Sequence, residues 1–520
     1  MAIMQSIQVG VGPVTPEDVV HVARHGAPVT LSDEALGAID HARSVVETLA
    51  AAETPTYGVS TGFGALATRH IPTEMRAQLQ RSLVRSHAAG SGPEVEREVV
   101  RALMLLRLST LATGRTGVRR GTAQLMADLL THGITPVVRE YGSLGCSGDL
   151  APLSHCALAL MGEGEVRDAA GTLMPAADAL AAAGLEPVEL VAKEGLALIN
   201  GTDGMLGMLV LAIADLRMLL RTADVAAAMS VEAQLGTDRV FAPELQAIRP
   251  HPGQALSAAN LTALMAGSAI VASHRTGPES SVECNRVQDA YSLRCSPQVH
   301  GAARDTVEHA AAVAGRELAS AIDNPVVMGD RVESNGNFHG APVGYVLDFL
   351  AIVAADVASI SERRTDRFLD RARSHGLPPF LAADPGVDSG HMIAQYTQAS
   401  IVSELKRLAV PASVDSIPSS AMQEDHVSMG WNAARKLRRS VDGLSRVVAV
   451  EVLTAARALD LRAPLIPSPP TAAVVALLRG SGIEGPGPDR HLSPEIEAAV
   501  GLVQSGAVLA AAESVIGELK

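Results

Sequence analysis

Apolar residues recur three and four positions apart through most of this 520-residue chain. That spacing puts them on one face of an α-helix, which completes a turn about every 3.6 residues. Leu347, Leu350, Ala351 and Ala354 form such a face, and Asp348 lies off it. The pattern predicts amphipathic helices over the segments 33–52, 74–89, 95–112, 118–132, 205–223, 302–321, 343–363, 391–408, 432–458 and 494–517.

Strand-like alternation is rare in this sequence. The short candidates are Val188–Val191 and Val326–Met328, and the second precedes a Gly-Asp turn. Four prolines between positions 464 and 470 interrupt the helical pattern near the end of the chain. The predicted fold is therefore mainly α, a bundle of long helices with few short strands.

The composition indicates the class of protein. Hydrophobic residues make up 47% and charged residues 19%, as in folded globular proteins. The net charge of −14 argues against a nucleic-acid or membrane partner. No secretory signal is visible, and the apolar run Gly204–Ala214 is too short to span a bilayer, so it predicts a buried helix. The four cysteines lack Cys-x-x-Cys spacing, and the sequence predicts a cytoplasmic protein with reduced thiols.

Polar, glycine-rich segments lie between the predicted helices, and one contains Cys146-Ser147-Gly148. The nitrogen of Gly148, which has no Cβ beside it, can approach the carbonyl carbon of Cys146 and close a five-membered ring. Loss of one water from the ring and one from the Ser147 side chain would leave an electrophilic methylidene group. The alternative is a turn in which the hydroxyl has no chemical role, and the tripeptide alone favours that alternative.

Three other patterns carry less chemistry. His21 and His25 have the spacing of a helical metal pair, but no third ligand is evident, so no metal site is predicted. Gly480–Gly485 matches G-x-G-x-x-G, but the prolines that follow prevent a helix start, so no nucleotide site is predicted. Ser147 lies in Gly-Cys-Ser-Gly rather than in Gly-x-Ser-x-Gly, which argues against a serine hydrolase.

Taken together, the polar segments resemble those of the histidine/phenylalanine ammonia-lyase family over about residues 15–460. The matching motifs are Tyr57–Gly64, Gly142–Leu153, Glu194–Thr202, Val287–Arg294, Asp323–Pro325, Gly336–His339 and Ser416–Met429. Members of this family form a 4-methylidene-imidazol-5-one (MIO) group from an Ala-Ser-Gly tripeptide. The resemblance implies that Cys146, Ser147 and Gly148 form this group autocatalytically, with no metal and no nucleotide.

The resemblance also implies roles for residues outside the tripeptide. Tyr57 is the candidate base for the β-proton, and the alternative for it is a loop anchor. Arg294 would bind the substrate carboxylate through its planar guanidinium. Asn200, Gln288 and Tyr291 would orient the amine and the developing charge. The alternative for Asn200 is a helix cap.

Further residues follow from the same resemblance. Phe338 would lie beside the MIO group and help to shape its precursor loop. Asp149 would assist ring closure or stabilise the loop. The predicted domains are an N-terminal catalytic region over 1–200, which is rich in loops, and a helical bundle region over 201–520.

Substrate choice is predicted to depend on His87 and Glu424. In the family a histidine at position 87 marks the enzymes that act on histidine, although alone it would be a structural residue at a helix end. The Glu424 carboxylate can accept a hydrogen bond from an imidazole N–H. Phenylalanine would leave that carboxylate unpaired, at a cost of about 1–3 kcal/mol or more.

Three positions depart from the family pattern or add to it. Cys146 replaces the usual alanine, Ala341 stands where many relatives carry an acid, and His391 adds an imidazole close to the segment that lines the family's substrate cavity. Cyclisation uses only the backbone carbonyl of Cys146 and should tolerate the thiol.

The resemblance implies a carbon–nitrogen lyase that converts L-histidine to ammonia and trans-urocanate, the first step of histidine degradation. One alternative is a related lyase or aminomutase acting on tyrosine or phenylalanine. Another is a non-catalytic helical homologue whose loop does not cyclise. The family also implies a homotetramer.

Overall fold

Long α-helices dominate the computed structural model, which describes residues 6–52, 56, 58–62, 64–66, 69–274 and 287–520. Local signals set many of their ends. The first helix, for example, has a capping box at Thr15 and a left-handed Gly26 after its last turn. The helices of the described residues are α1 (Pro16–His25), α2 (Asp33–Ala51), α3 (Arg76–His87), α4 (Arg97–Ala112), α5 (Arg120–His132), α6 (Leu150–Leu160), α7 (Ala176–Ala182), α8 (Glu194–Ile199), α9 (Asp203–Ala233), α10 (Pro243–Ala247), α11 (Pro252–Leu264), α12 (Ala269–Ser273), α13 (Tyr291–Arg294), α14 (Ser296–Leu318), α15 (Ala341–Leu369), α16 (Met392–Leu408), α17 (Gly430–Asp460), α18 (Pro469–Gly480), α19 (Ser493–Gln504) and α20 (Ala507–Ile516).

The strands are short and pair in small sheets. In the described part of the chain they are β1 (Ile7–Val9), β2 (Val29–Leu31), β3 (Ser91–Glu94), β4 (Thr135–Pro136), β5 (Arg139–Tyr141), β6 (Glu165–Arg167), β7 (Leu173–Pro175), β8 (Val326–Met328) and β9 (Arg331–Glu333). The pair β1–β2 is parallel, and β3–β5, β4–β6, β6–β7 and β8–β9 are antiparallel. The prediction of a mainly α fold with few short strands is confirmed.

Most element predictions are confirmed, and two need correction. The candidate strand Val188–Val191 is not a strand, because the Val191 amide donates to the Glu194 carboxylate in the turn that leads into α8. The predicted helix over 494–517 is two helices that meet at Gly506, whose φ is 77°. The strand Val326–Met328 is present and pairs with β9, with Val327 opposite Val332.

The chain divides into two compact units, each made of separate stretches of sequence. The first unit comprises Met1–Ala212, Ala311–Asp348 and Pro411–Arg435, and the second comprises Ile213–Ala310, Phe349–Val410 and Lys436–Lys520. The sequence predicts a different kind of division, into a catalytic region over 1–200 and a helical bundle region over 201–520. That division stays a prediction.

Helix α4 lies in the core of the first unit. Every residue from Val99 to Ala112 is buried. Two arginines of this stretch, Arg101 and Arg107, satisfy their buried guanidinium groups mainly with backbone carbonyls. In the second unit, Arg364 and Glu451 form a fully buried ion pair. Buried charges in both units are therefore paired or hydrogen-bonded, as stability requires.

One helix of the described residues, Ala341–Leu369, is long and apolar enough to cross a membrane, and the bent pair α19–α20 would be a second candidate. The apolar window of Ala341–Leu369 is 67% buried inside the protein, as in a core helix. The run Gly204–Ala214, predicted to be a buried helix, forms the first part of α9, and its residues from 204 to 213 are buried.

Candidate active site

A glycine-rich turn carries the tripeptide Cys146-Ser147-Gly148. Gly148 has a φ of 78°, in the left-handed region that favours glycine. A Cβ added there would lie 2.1 Å from the carbonyl oxygen of Gly201. The amide of Asp149 donates to that same carbonyl over 2.7 Å. The turn is therefore held against the backbone at Gly201 in a conformation that requires glycine at position 148.

The Asp149 carboxylate anchors the turn to a helix end. It is fully buried and accepts hydrogen bonds of 2.9 Å from the Ser143 hydroxyl and from the amides of Gly204 and Met205. Those two amides lie in the first turn of α9, where N–H groups have no partner within the helix. Burial raises the pKa of Asp149 to about 7, against the opposing effect of these donors. Asp149 therefore stabilises the loop and caps α9 from a distant point in the sequence.

Glu424 contacts the tripeptide directly. Its Oε1 accepts a hydrogen bond from the Ser147 hydroxyl over 3.1 Å, and its Oε2 accepts one from the Cys146 thiol over 3.1 Å. The hydroxyl of Ser419 also donates to Oε2 over 3.1 Å. Burial, together with the adjacent carboxylate of Glu424, raises the pKa of the Cys146 thiol to about 12. The thiol therefore remains a protonated donor at neutral pH.

A cavity of about 950 Å³ opens beside the tripeptide. Six of the predicted site residues line it together: His87, Cys146, Ser147, Asn200, Phe338 and Glu424. All of the lining residues belong to the first unit. A volume of this size accommodates a small amino acid.

His87 is the last residue of α3, as the sequence predicted. Its Nδ1 lies 2.9 Å from the carbonyl oxygen of Leu83, which accepts the ring N–H, and 3.1 Å from the Ser86 hydroxyl. Burial lowers the pKa of His87, and the Leu83 carbonyl and the charge of Glu424 oppose the shift. His87 is therefore a neutral imidazole at pH 7, with Nε2 as its remaining polar atom.

The buried side chain of Asn200 also lines the cavity. Its backbone carbonyl accepts a hydrogen bond of 2.7 Å from Arg107, while its side-chain Oδ1 is buried and has no hydrogen-bond partner among the described residues. The Asn200 side chain does not cap α9 in this structure, because its Oδ1 accepts no hydrogen bond from the described residues, whereas Asp149 accepts from two amides of that helix end. Asn200 thus presents an unused polar atom close to the reactive turn.

Three predicted residues belong to the second unit and are not among the residues that line this cavity. They are Gln288, Tyr291 and Arg294. Tyr291 begins the short helix α13 and is 73% exposed, and the Arg294 guanidinium lies 4.9 Å from the centre of its ring. The candidate base Tyr57 lies outside the described residues.

The structure also places the positions that depart from the family pattern. Ala341 is the first residue of α15, directly after Gly340. A Cβ at Gly340 would lie 2.6 Å from the sulfur of Met205. His391 is buried in the second unit, bonded through Nδ1 to the Thr454 hydroxyl over 3.1 Å, and is not among the cavity residues. Among the described residues, no group of three or more His, Cys, Asp or Glu side chains could hold a metal ion.

Comparison with known proteins identifies the family. The sequence model of the family described as aromatic amino acid lyase matches residues 14–480. Histidine ammonia-lyase of Streptomyces griseus is 67% identical over 519 residues, which cover 99% of this chain and 100% of that protein. The chain belongs to the aromatic amino acid lyase family.

Solved structures of similar proteins agree with this assignment. The histidine ammonia-lyase from Trypanosoma cruzi matches this lyase with a TM-score of 0.89 at 37% identity, over 99% of this chain and 96% of that chain. A tyrosine aminomutase from Streptomyces globisporus matches with a TM-score of 0.92 at 37% identity, over 99% and 100% of the two chains. The resemblance seen in the sequence and the helical fold are both confirmed.

Sequence reasoning missed several residues of the lyase site. Ser419, although inside the motif Ser416–Met429, and Arg107, which no motif contains, were not singled out, because their hydrogen bonds with Glu424 and Asn200 are known only from the fold. His339 also lines the cavity, and its ring stacks on that of His426 with centroids 5.7 Å apart. The motifs Gly336–His339 and Ser416–Met429 contain the two histidines and could have drawn attention to them.

Proposed function

We propose that the protein is a histidine ammonia-lyase, a carbon–nitrogen lyase that converts L-histidine to ammonia and trans-urocanate in the first step of histidine degradation. The observation that carries the proposal is the position of Glu424. Its carboxylate lines the cavity and is 3.1 Å from the hydroxyl of Ser147. Two relatives named histidine ammonia-lyase are 67% and 66% identical over their full length, which supports the same substrate.

The tripeptide is proposed to form the MIO group autocatalytically. The nitrogen of Gly148 bonds to the carbonyl carbon of Cys146, whose oxygen leaves as water with the hydrogens of the amides of Ser147 and Gly148. A second water takes the hydroxyl of Ser147 and the hydrogen on its Cα, leaving a carbon–carbon double bond. The left-handed turn at Gly148, its contact with Gly201 and the unpartnered Oδ1 of Asn200 fit this group.

The MIO group supplies an electrophilic carbon that turns the substrate amine into a better leaving group. The protein's own residues then bind and orient the substrate. Glu424 accepts the N–H of the substrate imidazole, and His87 lies at the same cavity wall with a neutral ring. Tyr57 is proposed to accept the β-proton at its phenolic oxygen.

Five further side chains complete the proposed site. Arg294 binds the substrate carboxylate through two parallel N–H groups. Tyr291, Gln288 and Asn200 orient the amine and the developing charge, and Phe338 shapes the loop of the tripeptide. Since Gln288, Tyr291 and Arg294 are not among the cavity residues of this unit, we propose that they serve a site in a homotetramer.

One surface supports assembly with further copies of the chain. Phe349 and Ile352, both in the second unit, lie three positions apart on α15 and are 44% and 47% exposed. A stripe of this kind is suited to packing against another helix. The proposed assembly acts in the cytoplasm, needs no metal, and has no nucleic-acid or membrane partner.

The alternative is a lyase or aminomutase acting on tyrosine or phenylalanine. The phenylalanine side chain has no hydrogen-bond donor, so its phenyl ring would leave the carboxylate of Glu424 desolvated without a partner. That mismatch costs about 1–3 kcal/mol or more, which corresponds to a discrimination of about 5-fold to 150-fold or more.

A substrate panel tests the proposal. L-Histidine, L-tyrosine and L-phenylalanine are each incubated with the enzyme, and product absorbance and released ammonia are followed in parallel. Formation of urocanate from histidine is expected at the highest kcat/KM. Turnover of tyrosine or phenylalanine without turnover of histidine would contradict the proposal. The intact mass is expected to be two waters below the sequence mass, and an unmodified mass would exclude the MIO group.

A further inference from the structure

We propose that Cys146 has a second task besides supplying a ring atom: its thiol positions the carboxylate of Glu424 for the substrate imidazole. This inference rests on the proposed function, because it assumes that Glu424 accepts the N–H of a bound imidazole. Cys146 is a positioning residue here, since it acts on the substrate only through Glu424.

The two oxygens of Glu424 have different partners. Oε2 accepts from the Cys146 thiol and from the Ser419 hydroxyl, each over 3.1 Å. Oε1 accepts from the Ser147 hydroxyl over 3.1 Å. The backbones of Ser419 and Glu424 also exchange two hydrogen bonds, of 2.9 and 3.3 Å. The main chain of Glu424 is thus fixed, and its side-chain orientation depends on three donors.

Maturation of the tripeptide removes one of these donors. The Ser147 hydroxyl leaves as water, so Oε1 loses its partner and becomes free to accept from a ligand in the cavity. The side chain of Cys146 is not consumed, because only its backbone carbonyl enters the ring. Oε2 therefore keeps both of its donors, and the carboxylate keeps the orientation that turns Oε1 towards the cavity.

The surroundings of Cys146 explain why a thiol suits this position. The residue is 7% exposed and packs with Val427 and Met429 in a small apolar cluster, with Leu144 beside it. The rest of its surface is therefore satisfied by apolar contact, and its single S–H points to Glu424. Since burial raises the pKa of the thiol to about 12, Cys146 does not become an anion that would repel the carboxylate at neutral pH.

Binding of two unreactive ligands to the full-length enzyme tests the proposal. Imidazolylpropanoate has the shape of histidine without its amine, and phenylpropanoate has no N–H donor on its ring. Calorimetry measures Kd for both in the wild type, Cys146→Ala, Cys146→Ser and the matched control Cys156→Ala, a buried cysteine on α6 that does not line the cavity. Intact mass shows whether each variant has formed the ring.

The proposal makes a selective prediction. Cys146→Ala is expected to raise the Kd of imidazolylpropanoate about 3- to 10-fold. The effect is modest because a thiol is a weak hydrogen-bond donor, even to a charged acceptor. The Kd of phenylpropanoate should not change in Cys146→Ala. In Cys146→Ser, the Kd of imidazolylpropanoate should lie within about twofold of the wild-type value. Cys156→Ala should change the Kd of neither ligand. In a Glu424→Gln background, Cys146→Ala should have little further effect, since the two residues act as one unit.

Two results would overturn the proposal without affecting the proposed function. One is a wild type that prefers imidazolylpropanoate while Cys146→Ala keeps that preference. The other is equal weakening of both ligands in Cys146→Ala, which would indicate general damage to the cavity. A wild type that neither prefers the imidazole ligand nor turns over histidine would overturn the proposed function, and this inference with it.

Discussion

Oε1 of Glu424 lies 3.1 Å from the hydroxyl oxygen of Ser147, although 277 positions separate the two residues. The fold thus puts a carboxylate of the cavity wall in contact with the hydroxyl group that is lost when the proposed MIO group forms. The same glutamate is proposed to select the substrate, so its replacement tests the site directly.

Glu424→Gln is expected to lower kcat/KM for histidine about 10- to 100-fold. The amide keeps the size of the side chain but loses the charge that strengthens the hydrogen bond from an imidazole N–H. Steady-state kinetics measures the effect, and intact mass checks ring formation. The control is Glu163→Gln, which removes a partly exposed ion pair with Arg85 and should change kcat/KM less than twofold. Unchanged kinetics in Glu424→Gln would exclude the glutamate as a substrate ligand.

Ser147→Ala is expected to keep the fold and lose at least a thousandfold in kcat, since no methylidene carbon can form. Among the described residues, the Ser147 side chain forms a hydrogen bond only with Glu424. Intact mass should equal the sequence mass, and circular dichroism should be unchanged. Ser154→Ala is the matched control, because the hydroxyl of that buried serine donates a hydrogen bond to the Leu150 carbonyl within α6, away from the reactive turn. Residual turnover near the wild-type rate in Ser147→Ala would refute the role given to this serine.

Gly148→Ala is expected to destabilise the protein by more than about 3 kcal/mol and to prevent ring formation. The added Cβ would meet the backbone of Gly201, whose carbonyl oxygen would be 2.1 Å away. Gly171→Ala separates this clash from backbone strain, because Gly171 has a φ of 87° and open space around its Cβ position. Strain alone should cost about 1–2 kcal/mol. Urea denaturation measures both, and equal costs would contradict the argument from Gly201.

His391→Gln is expected to make the protein less sensitive to acid. Burial lowers the pKa of His391 to about 3, and the nearby Arg457 adds to the shift. The unfolded chain, with an ordinary histidine pKa near 6.5, therefore binds the proton more readily between pH 6.5 and 3. The contribution of His391 to the free energy of unfolding is fully present above pH 6.5. It decreases as the pH falls, by about 2 kcal/mol at pH 5.

Urea denaturation at pH 7.5 and pH 5 measures this difference. The loss of stability between the two pH values should be smaller in His391→Gln than in the wild type. His41→Gln, at an exposed position of α2, is the control and should leave the loss unchanged. An identical pH dependence in His391→Gln and the wild type would show that His391 is not the group responsible.

The sequence was informative where signals are local and silent where contacts are distant. Apolar periodicity located α3 and its end at His87, because both depend on neighbouring residues. It did not show that α9 is capped by Asp149, which is 55 positions from Gly204. The contact between Cys146 and Glu424 spans 278 positions, and so the role of the thiol could not be read before the fold was known.

Motifs identified the family without giving the geometry of its site. Asn200, Phe338 and Glu424 were named from the resemblance, and the fold brings them to one cavity. Gln288 and Arg294 were named on the same grounds but lie in the other unit. A linear pattern does not distinguish residues that share a cavity in one unit from residues that belong to different parts of an assembly.

Within the described part of the chain, the His87 ring forms hydrogen bonds with Leu83 and Ser86 of its own helix. The Glu424 carboxylate instead accepts hydrogen bonds from two residues of the reactive turn, Cys146 and Ser147. His87 and Glu424, the two residues proposed to select the substrate, therefore differ in how readily they can be replaced during evolution. A lineage that acquires a new aromatic substrate can exchange position 87 first, at little risk to the turn. Exchange at 424 disturbs the partners of Cys146 and Ser147, so we expect it to come later and together with a change at 146.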